Sequence, residues 1–341
     1  MSRDRTVGAL LGMTVGDALG TTYEFAELAA PAYPMLAVGP ATDIVGGGPF
    51  GLVAGQITDD TQLAVCLARS LVDRGRLDVD DLARRFVAWR PHAFDIGTTT
   101  RAAIDRLVRG EPAATAGRSA WHDSRRSAAG NGSLMRIAPL AVWHGLRGSD
   151  PARDAVDESL VTHADPRCAL ACAGFCAAIA DAVAGDHRDA ERMLRRAGEA
   201  IEGASAYLSA RWDDDELDRT AIDDAKRALH DDLAAARRAD PELYSPHALH
   251  LHRTQGFVRV AFRLACWHAV HAPSYRAAVV DTASRGGDAD TNAAIVGALL
   301  GARDGAATIP QAWRDRVLAA TQPGPADWAD AHHPRHLLAL T

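Results

Sequence analysis

What this chain of 341 residues lacks narrows its possibilities first. It has no long run of Lys or Arg and a formal net charge of −7. The concentrated positive field that bulk nucleic-acid or membrane-surface binding needs is therefore missing. A phosphate-bearing small ligand stays open, because a few well-placed donors hold one. The five cysteines are an odd number in a long chain and do not resemble a disulfide framework. Aromatic residues are sparse at 6%, and alternating, strand-like segments are hard to find. No stretch is rich enough in Pro or Ser to be an interdomain linker, no fixed solenoid period recurs, and no uncharged apolar run approaches the length of a membrane span. Arg3 and Arg5 before the apolar stretch Val7 to Val15 loosely mimic a signal peptide. However, Asp17 follows at once and no small-x-small cleavage site precedes Thr21-Thr22-Tyr23-Glu24. The expectation is a cytoplasmic, unexported monomer with reduced thiols, a single domain over residues 1–341.

What is present is helical periodicity. Leu63, Leu67 and Leu71 repeat every four residues, as do Leu82 and Phe86, then Ile295 and Leu299. With 48% hydrophobic residues there is ample material for a core. Gly75, Gly110, Gly185 and Gly305 each fall just after such a segment, where a left-handed C-cap is wanted. Pro91 and Pro273 stop others. An all-α, compact multi-helix domain follows. Cys168, Cys172 and Cys176 share one helical stripe with Ala169, Ala173 and Ala180 nearby, which reads as a small-residue packing face rather than a soft-metal site. Gly8, Gly12, Gly16 and Gly20 are also spaced by four, and Gly297-Ala298-Leu299-Leu300-Gly301 repeats the Gly8-Ala9-Leu10-Leu11-Gly12 string. Two such helices can pack backbone to backbone and bring the two ends of the chain to one site. Residues 211–250 are highly charged and read as surface helix and loop.

The strongest chemical signal is a pair of acidic helix starts far apart in sequence. One is Thr58-Asp59-Asp60-Thr61; the other is Gly286-Gly287-Asp288-Ala289-Asp290-Thr291-Asn292. Capping would require one such residue per helix; here each end carries a cluster. If the ends converge, four carboxylates repel and raise one another's pKa, and divalent cations cancel that charge. Oxygen-only ligands select hard ions, Mg²⁺ or Mn²⁺, over zinc. Gly46 to Leu52 is glycine-rich but lacks the Gly-Lys-Ser/Thr ending of a P-loop. Gly130-Asn131-Gly132-Ser133-Leu134-Met135-Arg136 combines bare backbone donors, a hydroxyl and a guanidinium, which suits a diphosphate, though such a turn is often only a turn. Asp95 lies in the bend Phe94-Asp95-Ile96-Gly97, where it either caps the next helix or faces a ligand. His163 precedes another helix, and a lone His is more often structural than catalytic. Glu24, after the glycine-rich first helix, equally fits an exposed loop acid.

Taken in order, these segments resemble the ADP-ribosylglycohydrolase family, the group related to dinitrogenase-reductase-activating glycohydrolase. The matching stretches are Gly8 to Glu24, Gly46 to Thr61, Asp95 to Arg101, Gly130 to Pro139, Thr162-His163 and Gly286 to Asn292. The resemblance implies an all-helical fold holding two Mg²⁺ or Mn²⁺ ions. Thr58, Asp59 and Asp60 would supply ligands from one helix start, and Asp288, Asp290 and Thr291 from the other. It places Glu24 as the key acid near the metals, for activating or orienting water, and Asp95 on the leaving-group side. Gly97, Gly130, Asn131, Gly132, Ser133, Met135, Arg136 and His163 become the substrate-binding candidates, with Gly130 to Ser133 at the diphosphate and His163 at the ribose. Ala289 stands where a Thr is often found, a position not expected to be a ligand. The implied substrate is an ADP-ribosylated protein or free ADP-ribosyl adduct, with the ADP-ribosyl-arginine bond preferred. Cleavage of O-linked ADP-ribose, from serine or from an acetylated metabolite, a non-catalytic ADP-ribose reader and a two-metal phosphohydrolase are the alternatives. Retention of Glu24 and every metal-position Asp argues against a dead copy.

Overall fold

The computed structural model describes residues 3–28, 33–36, 39–212, 215–245 and 249–341. Fifteen α-helices and four short 3-10 segments make up the regular structure, with only isolated backbone bridges and no strand among the described residues. One hydrophobic cluster extends from Ala9 to Leu340, so the all-helical expectation holds.

The first helix, Arg3–Gly20, and the Ala289–Asp304 helix lie antiparallel at its centre. Their glycines explain how closely they approach. A Cβ on Gly8 would lie 2.2 Å from the Gly301 carbonyl oxygen, one on Gly12 2.3 Å from that of Gly297, and one on Gly16 2.0 Å from that of Ala293. No side chain fits there. At the end of this seam, a Cβ on Gly20 would lie 2.3 Å from the Ala289 carbonyl oxygen. The C-terminal end of the first helix is therefore pinned beside the acidic start of the Ala289–Asp304 helix.

Most helix ends follow the expected chemistry. Gly75 (φ +67°) closes the Asp59–Arg74 helix with its N–H on the Leu71 carbonyl, and Gly110 and Gly305 also have positive φ. Gly185 differs. It is the last helical residue, and Asp186 takes the left-handed position (φ +49°), where its carboxylate accepts from Arg5 Nε at 2.8 Å. A short polar side chain tolerates that conformation when a partner holds it.

The Pro166–Gly185 helix corrects one sequence expectation. It has 20 residues, and an 18-residue window of it reaches a mean hydropathy of 1.8, long and apolar enough to cross a membrane. Here 83% of that window is buried inside the protein, and the apolar surface packs against neighbouring helices. The cysteine stripe is the packing face expected. Cys168, Cys172 and Cys176 are all free and buried, and the Cys168 thiol donates to the Gly130 carbonyl at 3.1 Å.

Residues 211–250 are less superficial than their charge implied. The Glu216–Ala235 helix buries Ile222, Ala225, Leu229 and Leu233, and its Asp218 and Asp232 are fully buried. Arg118 and Arg126 bind Asp218, and Arg259 and Arg263 bind Asp232, so these acids lie inside because guanidinium partners reach them. Asp213, Asp214, His247 and Ala248, which belong to the same expectation, lie outside the described residues.

Candidate active site

The two acidic helix starts meet. The Thr291 hydroxyl lies 3.4 Å from Asp60 Oδ2, and the Thr58 hydroxyl lies 3.1 Å from the same oxygen. Neither N-cap side chain is spent on capping. Thr58 and Asp288 occupy the N-cap positions without a side-chain cap bond. At Asp78, Asp165, Asp189, Asp215 and Ser274, in contrast, the cap side chain does accept from the first turn.

Asp17, in the first helix, does the capping instead. Its carboxylate accepts from the Thr58 N–H at 3.1 Å and the Thr61 N–H at 3.2 Å, with the Thr61 hydroxyl at 2.6 Å and the Thr58 hydroxyl at 3.1 Å. Burial raises Asp17 to about 6, and the hydrogen bonds from Thr61 and Thr58 keep it from rising further. Sequence reasoning missed this residue. The signal was a lone carboxylate in an otherwise apolar, glycine-spaced helix, which must find donors when buried.

Above these starts opens a cleft of about 350 Å³, lined by Glu24, Asp59, Asp95, Ile96, Gly97, Gly130, Asn131, Gly132, Met135, His163, Asp288 and Thr291, with Phe25, Thr98, Thr99, Thr100, Gln255 and Gly256 completing the wall. No Lys or Arg is among these lining residues. Single carboxylate oxygens of Glu24, Asp95 and Asp290 lie within 4.8 Å of one another. Burial, then the fields of Asp290, Asp95 and other acids, push Glu24 far above the usual carboxylate range. Asp59, Asp60 and Asp290 are raised by the same two causes. Burial raises Asp95 to about 6, and burial, then the field of Asp95, pushes Asp59 well above the usual carboxylate range. Asp95 is not a helix cap: Gly97 is the N-cap of the Thr98–Val108 helix and carries no side chain.

The glycine turn has a structural side and a cleft side. Asn131 Nδ2 donates to Asp288 Oδ2 at 2.6 Å, and the Asn131 N–H donates to the Gly256 carbonyl at 2.9 Å. A Cβ on Gly132 would lie 2.8 Å from the His163 ring. His163 Nδ1 lies 2.8 Å from the Thr162 hydroxyl, which accepts from Arg136 Nη2 at 2.9 Å. Thr162 thus turns its proton to Nδ1, leaving Nε2 as the N–H donor on the side of Gly130 and Gly132. Burial, then the Arg136 charge, hold His163 well below its ordinary pKa, so it is neutral.

Arg136 and Ser133 do not reach the cleft. Arg136 is buried, pairs with Glu158 at 2.6 Å and packs over the Phe86 ring. Ser133 is fully buried and its hydroxyl accepts from Ser159 at 2.9 Å. Both lie behind the wall, where the turn faces the core. The Gly46 to Leu52 loop lies outside the cleft lining too. It braces the end of the first helix: a Cβ on Gly48 would lie 2.1 Å from the Thr21 carbonyl oxygen, and the Thr22 hydroxyl donates to the Gly46 carbonyl at 3.0 Å. None of the described residues between 211 and 250 lines the cleft; Gln255 and Gly256 do.

A helical body gathers acids from both ends of the chain at one cleft with no Lys or Arg among its described lining residues, the arrangement that the resemblance of the motifs implies. A sequence profile of the ADP-ribosylglycohydrolases matches residues 1–337, and the chain belongs to that family. It is 30% identical over 322 residues to the ADP-ribosylarginine hydrolase Tri1 of Pseudomonas putida (strain GB-1), covering 92% of this chain and 74% of the relative. It is 28% identical over 315 residues to the ADP-ribosyl-[dinitrogen reductase] glycohydrolase of Rhodospirillum rubrum, covering 92% and 90%. A solved structure described as an ADP-ribosylglycohydrolase-related protein complex superposes with a TM-score of 0.70 at 27% identity, over 99% of this chain and 96% of that one. The protein is an enzyme of this hydrolase class.

Proposed function

We propose that the enzyme hydrolyses the N-glycosidic bond between ADP-ribose and an arginine side chain, on a modified protein or a free adduct, with two divalent cations, Mg²⁺ or Mn²⁺. The observation that carries this reading is the meeting of Glu24, Asp95 and Asp290 within 4.8 Å in a cleft without Lys or Arg in its lining. The residues fit a hard cation. Asp60 Oδ1 and Glu24 Oε2 are buried without a hydrogen-bond partner, and every converging donor is oxygen. Thr58, Asp59 and Asp60 would hold the ions from one helix start, and Asp288, Asp290 and Thr291 from the other. Bound there, the cations supply charge neutralisation and a fixed orientation for the ribose hydroxyls beside the scissile bond.

The chain's own groups do the rest. Glycosidic cleavage passes through an oxocarbenium-like state, so attack needs a positioned water and departure a stabilised leaving group. Glu24 orients the water and takes its proton. Asp95 holds the guanidinium through paired, charge-assisted hydrogen bonds, a contact that a serine-linked substrate cannot make. Neutral His163 donates its Nε2–H at the Gly130–Gly132 wall, where the ribose and diphosphate lie. The name of the Pseudomonas relative supports the arginine linkage.

The test is incubation of the Mn²⁺-loaded enzyme with arginine-linked and serine-linked ADP-ribosyl peptides, with and without EDTA. Free ADP-ribose should appear from the arginine substrate, stop with EDTA and return with Mn²⁺. Release from serine alone would move the specificity to O-linked bonds. Binding without release from either would make the protein a reader.

A further inference from the structure

Phe25 is an anomaly that the function above does not use. It is the only Phe, Tyr or Trp among the described lining residues of the cleft, and the residue is 56% exposed. Its φ is +60°, in the left-handed region that a bulky residue rarely enters. The conformation is enforced from outside. The Phe25 N–H donates to the Gly287 carbonyl at 2.7 Å, and the Gly287 N–H returns a bond to the Ala26 carbonyl at 2.9 Å. A Cβ on Gly286 would lie 2.1 Å from the Ala26 carbonyl oxygen, so the two loops are pressed together. A glycine would take this backbone without strain. Strain that the surroundings over-determine, at a cleft, points to a use for the side chain.

We infer that Phe25 determines leaving-group specificity: its ring is the face on which the planar guanidinium of an arginine-linked substrate stacks. The inference rests on the arginine reading above and names the residue that completes it. Phe25 follows Glu24 directly, and its backbone is tied to the loop that presents Asp288 and Asp290. It therefore lies by the carbon at which the glycosidic bond breaks. The adenine is separated from that carbon by a ribose and a diphosphate, so the group within reach of Phe25 is the acceptor. A guanidinium presents its edge to a carboxylate and its face to a ring, so Asp95 and Phe25 hold it in two perpendicular directions without competing. Asp95 alone would accept any cation. Adding an aromatic face favours the delocalised, weakly hydrated guanidinium over a lysine ammonium.

The experiment compares the Mn²⁺-loaded wild type with Phe25→Ala, Phe25→Gly and Phe25→Trp. It reads kcat and KM on an ADP-ribosyl-arginine peptide, Kd for ADP-ribose, and Tm. Losing a cation–π face should raise KM roughly 2- to 30-fold in the Ala and Gly variants. Kd for ADP-ribose should not move, and Phe25→Trp should keep the wild-type KM. Phe25→Gly relieves the backbone, so its Tm should equal or exceed that of wild type, which separates lost recognition from lost folding. Unchanged KM in Phe25→Gly would overturn the inference. So would a parallel weakening of ADP-ribose, which would put the ring on the nucleotide. In both cases a wild type active on arginine leaves the proposed function standing; a wild type inactive on arginine would remove both.

Discussion

At the scale of single residues, the site divides into groups that face the cleft and groups that hold them. Glu24 belongs to the first kind: its Oε2 is buried and unpartnered beside Asp95 and Asp290. Glu24→Gln removes the base while keeping shape and one acceptor, so turnover should fall about a hundredfold or more with Tm and ADP-ribose affinity retained. Rates like wild type would place water activation elsewhere. Asp17 belongs to the second kind. Four donors from Thr58 and Thr61 converge on its carboxylate, and an amide there would turn an N–H₂ towards some of them. Asp17→Asn should weaken Mn²⁺ binding about 10- to 100-fold, the usual cost of losing a group that orients ligands. Calorimetric titration measures it, and unchanged affinity would reduce Asp17 to a helix cap. The sequence marked the facing acids because several carboxylates at one helix start exceed what capping needs. It hid Asp17, whose partners lie some forty positions away, and it misplaced Ser133 and Arg136. Motif order names the residues of a turn but not which of them point inwards, and Glu158, the partner that draws Arg136 into the core, sits 22 residues on.

At the scale of elements, the seam between Arg3–Gly20 and Ala289–Asp304 determines whether the site exists. Its glycine spacing was readable because a four-residue repeat of the smallest residue on two helices leaves both backbones bare. The antiparallel direction, which sets Gly20 beside Ala289 and Gly8 beside Gly301, is visible only in the fold. The seam therefore couples stability to chemistry. Gly16→Ala places a methyl 2.0 Å from the Ala293 carbonyl oxygen, and the helices must separate. We expect a loss of about 1–3 kcal/mol, as for other overpacked cores, with a fall in metal affinity, since Asp17 and Asp290 sit on opposite sides of the seam. Gly203→Ala is the contrast. It is an exposed helical glycine with nothing within 4 Å of a new Cβ, so it should stabilise by roughly 0.5–1 kcal/mol and leave activity alone. Chemical denaturation with Mn²⁺ titration separates the two. Equal effects would mean that the seam tolerates separation.

At the scale of the whole molecule, burying this many acids at the meeting point of its two ends makes stability depend on what neutralises them. Without metal, that role falls to protons. Asp17 and Asp95 are raised to about 6 in the fold, against about 3.9 in an unfolded chain. A raised carboxylate binds its proton more tightly when folded, so its stabilising contribution is complete below pH of about 4 and is lost as pH rises through about 6. Carboxylates with the opposite tendency act lower. Burial would raise Asp81 and Asp281, but Arg85 and Arg74 hold the first well below its ordinary value, and His268 and Arg285 hold the second at about 2. Their contributions are lost only on the acid side of that window. The EDTA-treated protein should therefore melt higher at pH 5 than at pH 8. If divalent ions bind as proposed they replace the protons, so adding Mn²⁺ should raise Tm more at pH 8 than at pH 5. At a hundred times its dissociation constant the ion adds about 2.7 kcal/mol, readable by calorimetry. If Mn²⁺ stabilises equally at both pH values, the ion is not competing with the protons on Asp17 and Asp95.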